Sequence, residues 1–480
     1  MPNRFPRFTA VLLLLFSALP GIGQTTPRAQ STPPAPSYSA RRPRLVVVIS
    51  IDQFRYEYLK RFAPWFSAGG FNRFLKQGAD FDHAFYRHAI TFTGPGHAAI
   101  GTGRNPAETG IVGNTWLERN APFDQRAWDW FFEDTGGYKA ASHPVAAAGM
   151  PAWYAHGGTP RYCVDDPRTR VSEGRTDGMS PVALDGDSLG DRLKQKYPDA
   201  HVVATALKDR AAILMAGRRA DAAYWFDHKL PGFVSSGYYR YDRSLLDFNS
   251  RVKSYFPESG LWKLSGIIPT ADMQRITFDP PAAWLLKNPL YGGTFDHPVK
   301  SGRAFAYSPF ANDMLLDFTS AAIEHHHLGE DSSPDLLFIG ISTPDYIGHY
   351  YGPDSMEVAD DAVRLDRSLE RFLNALVAKI GDGLLVAITA DHGVQSRPEI
   401  ARLRDPKIDA GRTDLRNAIG TAHFISELPP LRIELERLVA KKLEIPFNAD
   451  APLSQALLFF FEEPSLYLNW DRISELTGGV

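Results

Sequence analysis

Four stretches of the chain are apolar almost without a break: Arg44 to Ile51 (RLVVVISI), His201 to Ala206 (HVVATA), Asp335 to Ser342 (DLLFIGIS) and Leu384 to Ala390 (LLVAITA). Unbroken β-branched runs of this length suit strands buried on both faces of a parallel sheet. DAAYWFD, from Asp221, reads as another strand, and FRYEYLKRFAPWF, which follows the first, has helical spacing. Val358 to Lys379 and Leu431 to Leu443 are amphipathic at the helical period. Strands alternating with helices predict an α/β fold with a largely parallel central sheet and helices on both faces.

Three of these strands end alike. The first runs into Asp52, the third into TPDYIGHYYGPDS with Asp345 and His349, and the fourth into Asp391, His392 and Gly393. Singly, each residue reads as a helix cap or a satisfied surface group. In open α/β sheets, however, ligands sit beyond the carboxyl ends of the strands, so the three ends should converge. A cluster of oxygen and imidazole donors suits two zinc ions, which roughly 3.5–4 Å apart clamp the attacking and leaving oxygens of a phosphoryl group.

The stretch His88 to Trp116, HAITFTGPGHAAIGTGRNPAETGIVGNTW, adds a hydroxyl. Gly94, Pro95 and Gly96 suit a first helical turn, which places Thr93 at a helix N-terminus, where free N–H groups and the dipole favour an anion. Lys208 and Arg210, two apart after HVVATA, would point to the same side of an extended segment and grip phosphate oxygens. Asn114, in GNTW, is placed to donate an amide hydrogen bond to the same oxygens.

Composition narrows the chemistry. The chain has 480 residues and a formal net charge of -3, which argues against a nucleic-acid-coating protein. Its single cysteine, Cys163, excludes thiolate-cage metal sites. Residues 1 to 24 place Arg4 and Arg7 ahead of an apolar run too short for a comfortable membrane span, the pattern of a secretory signal peptide. The expectation is a secreted or periplasmic protein without a stable membrane anchor. Residues 25–43 are a Pro/Ser/Thr-rich spacer, and the catalytic domain is expected over 44–480. Segments near 118–185 and 228–308 read as insertions covering the site; His143, His156 and His297 within them are assigned no role.

Six motifs in order, SIDQFRYEYL, TFTGPGHAAIGTG, GNTW, ALKDRAAILMAG, TPDYIGHYYGP and TADHG, resemble the alkaline phosphatase superfamily. Within it they resemble the bacterial PafA-type enzymes, relatives of the type I phosphodiesterase/nucleotide pyrophosphatases. The resemblance implies that Thr93 is a phosphorylated nucleophile. It implies one zinc held by Asp52, Asp391 and His392 with Thr93, and a second by Asp345 and His349. Asn114, Lys208 and Arg210 match phosphate-binding residues, and the Lys-x-Arg pair implies a small phosphate monoester as substrate. A phosphodiesterase with the same metals, or a non-catalytic phosphate-binding homologue, is the alternative. The second zinc's third ligand in the family is a histidine near the C-terminus; here the only histidine after His392 is His423, in the unlike context GTAHFISEL. The expectation is therefore an incomplete second zinc site and a chain short at its C-terminus.

Overall fold

The structure, a computed structural model, describes residues 42–118, 121, 159–169, 178–239, 243–277, 295–407, 429–448, 458–462, 465–468 and 470–477. The expected signal peptide, His143, His156 and His423 lie outside the described residues. In chain order the strands up to the last site motif are β1 (Leu45–Ile51), β2 (Thr115–Glu118), β3 (Thr159–Tyr162), β4 (Val202–Ala206), β5 (Ala222–Asp227), β6 (Gly232–Ser235), β7 (Leu261–Trp262), β8 (His297–Pro298), β9 (Asp335–Ile341) and β10 (Leu384–Thr389). The helices needed below are α1 (Tyr56–Arg61), α2 (Thr93–Thr102), α3 (Asp209–Ala216), α4 (Phe310–His325), α5 (Thr343–Tyr351), α6 (Met356–Ile380) and α7 (Pro429–Leu443).

Among the described residues the central sheet has six strands in the order β10-β1-β9-β4-β5-β6. All neighbours are parallel except β5 and β6. Successive residues of the inner strands enter two different cores, which explains why the strands are apolar throughout. Leu337 and Ile339 of β9 join Leu45, Val47 and Ile49 in a cluster with Met314, Phe318, Leu365 and Leu369 of α4 and α6. Leu336 and Phe338 join Ala204, Ala206 and the α3 residues Ile213 to Ala216 in the other. A helix layer therefore covers each face, and each fully buried Val, Leu or Ile contributes roughly 1.5–3 kcal/mol.

β10 departs from the expectation. It lies at the edge of the sheet and alternates, with Leu384, Val386 and Ile388 half-buried and Leu385, Ala387 and Thr389 exposed. A strand with one covered face needs only every second side chain to be apolar, and nothing in LLVAITA announces that state. Gly232–Ser235, inside the stretch read as the second insertion, forms β6 of the sheet. The long helix begins two residues before its expected start because Ser355 caps it, its Oγ accepting from the Val358 N–H at 3.3 Å. Among the described residues no helix is long and apolar enough to cross a membrane.

Candidate active site

Parallel pairing sets the strand ends level. Ser50 of β1 stands opposite Thr389 of β10 and Gly340 of β9, and Gly340 stands opposite Ala206 of β4. The residues just beyond these ends are Asp52, Asp391, Ser342 with the first turn of α5, and Lys208. Thr93 reaches the same end of the sheet as the first residue of α2. That helix lies close because its residues are small: a Cβ at Gly96 would fall 2.3 Å from the Asp391 carbonyl oxygen, and one at Gly101 2.6 Å from that of Leu214.

Asp52, Asp391 and His392 are buried, and their ligand atoms lie within 4.8 Å of one another. Neither Asp52 carboxylate oxygen receives a well-directed hydrogen bond from the described residues, although Lys208 Nζ is 2.7 Å from Oδ2 and His392 Nε2 is 3.3 Å from Oδ1. Burial opposes the Asp52 charge, but Lys208, with His392 and His97, holds its carboxyl well below the usual range. The Asp391 carboxyl is pushed up by burial and by the Asp52 charge. His392 is raised to about 9; burial opposes this, and its close contact with the Asp52 carboxylate and the charges of Asp391 and Asp52 outweigh it. Two buried carboxylates, oxygens without well-directed donors and an imidazole form a donor set that fits a divalent cation.

The second pair is looser. Asp345 is buried, but the His349 side chain is 69% exposed, with Nε2 3.2 Å from Asp345 Oδ1 across one turn of α5. Among the described residues no third ligand-bearing group clusters with this pair.

Lys208 and Arg210 do not lie in an extended segment, which corrects the geometry expected of them. Lys208 is the extended N-cap of α3, whereas Arg210 is already in its first turn, so the alternation of an extended segment does not set their directions. The Lys208 ammonium lies between Asp52 and Asp345, 3.5 Å from Thr93 Oγ1 and 4.9 Å from the centre of the Tyr346 ring. Arg210 Nη1 instead donates to the Tyr162 hydroxyl at 3.0 Å. Asn114 Oδ1 accepts from the Gly94 N–H at 2.7 Å, which leaves its NH2 as the group to offer a ligand.

Sequence reasoning missed two supports. Gln53 has a left-handed backbone (φ 61°); its N–H donates to Asp391 Oδ1 at 3.2 Å and its Nε2 to Asp345 Oδ1 at 3.0 Å, tying the two carboxylates together. Strain of this kind, about 1–3 kcal/mol, persists where the surroundings over-determine it. His97 is fully buried, with Nδ1 2.8 Å from the Thr93 carbonyl and 3.2 Å from Asp391 Oδ2. Its four-residue spacing from Thr93 on one helix face was the available signal; Gln53 had none beyond following Asp52. His297, by contrast, packs away from these groups, its Nε2 2.9 Å from Glu357 Oε1.

A third support lies behind α5. Asn312 Nδ2 donates to Asp361 Oδ1 at 3.0 Å, and Thr343 Oγ1, on the first residue of α5, donates to Asn312 Oδ1 at 2.6 Å. Asp361 Oδ2 is 3.3 Å from the same Thr343 hydroxyl. That hydroxyl has one proton, already given to Asn312, so the ring closes when Asp361 is itself protonated. Burial pushes its carboxyl up to about 8, with Asp360 adding to the rise. An unfolded aspartate titrates near 3.9, so between about 4 and 8 the folded chain holds a proton the unfolded chain has lost. Stability falls as pH rises through that window. Asp361→Asn carries no such dependence, so its thermal midpoint relative to wild type should rise between pH 5 and pH 8 in calorimetric scans. A pH-independent difference would mean that Asp361 is ionised.

The sequence model of the family described as type I phosphodiesterase / nucleotide pyrophosphatase matches residues 46–407. Alkaline phosphatase PhoV of Synechococcus elongatus is 31% identical over 378 residues, covering 76% of this chain and 62% of that protein. Alkaline phosphatase PafA of Elizabethkingia meningoseptica is 31% identical over 369 residues, covering 73% and 60%. Alkaline phosphatase PhoK of a Sphingomonas species is 30% identical over 411 residues, covering 83% and 64%. The chain thus spans about three fifths of the length of these curated relatives. The crystal structure of wild type alkaline phosphatase PafA superimposes with a TM-score of 0.67 at 25% identity, covering 90% of this chain and 74% of that one.

Proposed function

Because the chain belongs to the type I phosphodiesterase/nucleotide pyrophosphatase family of the alkaline phosphatase superfamily, we propose that it is a metal-dependent hydrolase of small phosphate monoesters. The observation that carries this reading is the meeting of Thr93 Oγ1 and the Lys208 ammonium, 3.5 Å apart, with the buried cluster of Asp52, Asp391 and His392.

Thr93 attacks phosphorus and carries the phosphoryl group until water removes it. A threonine hydroxyl is a weak nucleophile at neutral pH. Asp52, Asp391 and His392 would hold a zinc ion, and Asp345 with His349 would hold a second; such ions would supply Lewis acidity to the Thr93 hydroxyl and to the leaving oxygen. Lys208, its charge secured by two carboxylates, balances negative charge on the equatorial oxygens; Asn114 donates to them, and Arg210 adds a second cation. Gln53 and His97 hold the carboxylates in place. The leader-like first 24 residues support export to a periplasmic or extracellular compartment.

The test compares nitrophenyl phosphate with bis-nitrophenyl phosphate on zinc-supplemented protein. The monoester should be the better substrate, and the Lys208→Ala, Arg210→Ala double variant should lose monoester turnover by at least about tenfold more than diester turnover. A dianion gains more from two cations than a monoanion does. Loss of the Lys208 ion pairs also costs stability, but that penalty falls on both substrates alike. A wild-type preference for the diester would make the chain a phosphodiesterase. A zinc-loaded chain that turns over neither ester would be a binding protein.

A further inference from the structure

We propose that Tyr162 is a positioning residue that orients Arg210 for the phosphate dianion and so helps to select monoesters; this rests on the functional reading above. Tyr162 ends β3, in the stretch expected to be an insertion, and its side chain is largely buried. Its hydroxyl sits between two charged neighbours on α3: it donates to Asp209 Oδ1 at 2.7 Å and accepts from Arg210 Nη1 at 3.0 Å. Packing alone would be met by phenylalanine. A hydroxyl that gives its proton to a carboxylate is a stronger acceptor for the guanidinium that follows it.

The direct ion pair does not do this work, because Arg210 Nη1 and Asp209 Oδ1 are 3.8 Å apart, beyond hydrogen-bond distance. Arg210 Nε is buried without a hydrogen-bond partner among the described residues, so the guanidinium keeps a donor in reserve. Its location suits a phosphate on Thr93. Arg210 neighbours Cys163 and Tyr346; the Cys163 sulfur would lie 3.3 Å from a Cβ at Gly94, and the Lys208 ammonium lies 4.9 Å from the centre of the Tyr346 ring.

β3 also links the two halves of the phosphate grip. Tyr162 pairs with Thr115 of β2, and the Cys163 N–H donates to the Asn114 carbonyl at 2.9 Å. The β2–β3 ribbon thus holds Asn114, which reaches Gly94, in fixed register with the tyrosine that holds Arg210.

The experiment is a double-mutant cycle of Tyr162→Phe and Arg210→Ala on zinc-loaded protein. It reads kcat/KM for nitrophenyl phosphate and bis-nitrophenyl phosphate, and the affinity for inorganic phosphate by calorimetry. Tyr162→Phe should lower monoester kcat/KM and phosphate affinity by about tenfold each, the scale of one hydrogen bond to a charged group, and change diester turnover by less than about twofold. In the Arg210→Ala background it should cost almost nothing further. Asp209→Asn, which leaves the tyrosine ring packed, should weaken phosphate binding in the same direction. Unchanged phosphate affinity in Tyr162→Phe, or an equal loss with and without Arg210, overturns the proposal. Absence of monoester turnover in wild type would sink the functional reading instead, and phosphate binding would still decide the role of Tyr162.

Discussion

Thr93→Ala should hydrolyse nitrophenyl phosphate at least about a thousandfold more slowly than wild type, since removing a covalent nucleophile leaves only positioning and electrostatics. Thr93 heads α2, yet its side chain makes no capping hydrogen bond, because the N-cap is Phe92. Truncating it should therefore leave the thermal midpoint close to wild type, separating lost chemistry from lost structure. Thr93→Ser keeps the hydroxyl and should retain turnover within about tenfold of wild type. Wild-type rates in Thr93→Ala would remove this residue from the mechanism.

Removing metal should be as damaging. Chelation followed by gel filtration should cut monoester turnover by at least about a thousandfold, because several kcal/mol of charge stabilisation are lost, and zinc should restore it. The two ligand sets should behave differently. Asp52, Asp391 and His392 are buried and clustered, whereas Asp345 is paired with a largely exposed His349. A catalytic zinc commonly has three protein ligands. Elemental analysis after exhaustive dialysis should therefore find one zinc per chain, with a second bound only in excess metal. The first ion should also raise the thermal midpoint, since a ligand that binds only the folded state stabilises it by mass action. Two ions retained through dialysis would show that the second site is complete.

Much of this arrangement is legible in the amino-acid sequence. The runs that lead into Asp52, Asp345 and Asp391 announce strands, because an apolar β-branched run encodes its own local state. Thr93 at the head of a helix follows from Gly94, Pro95 and Gly96 for the same local reason. The misplacement of Lys208 and Arg210 is also local in origin: spacing of two means one side only while the chain stays extended, and α3 begins between them. The supports are less visible. Gln53 bonds to a carboxylate 292 positions away, His97 meets Asp391 from α2, far away in the chain, and Asp361 reaches the site through the start of α5. No periodicity records such contacts.

The sequence by itself determined β1, β4, β5, β9 and β10 of the central sheet and which side chains follow the ends of those strands. Those choices rest on backbone propensity and hydrophobic period, which a few neighbouring residues decide. The tertiary structure alone decided that β1 lies between β10 and β9, so that Asp52 has Asp391 on one side and Asp345 on the other. It alone left one face of β10 exposed, seated the Lys208 ammonium between two carboxylates, and turned Arg210 toward Tyr162. Strand order and buried ion pairs come from pairing between distant segments. Their free energy depends on which surfaces meet, and no single segment carries that information.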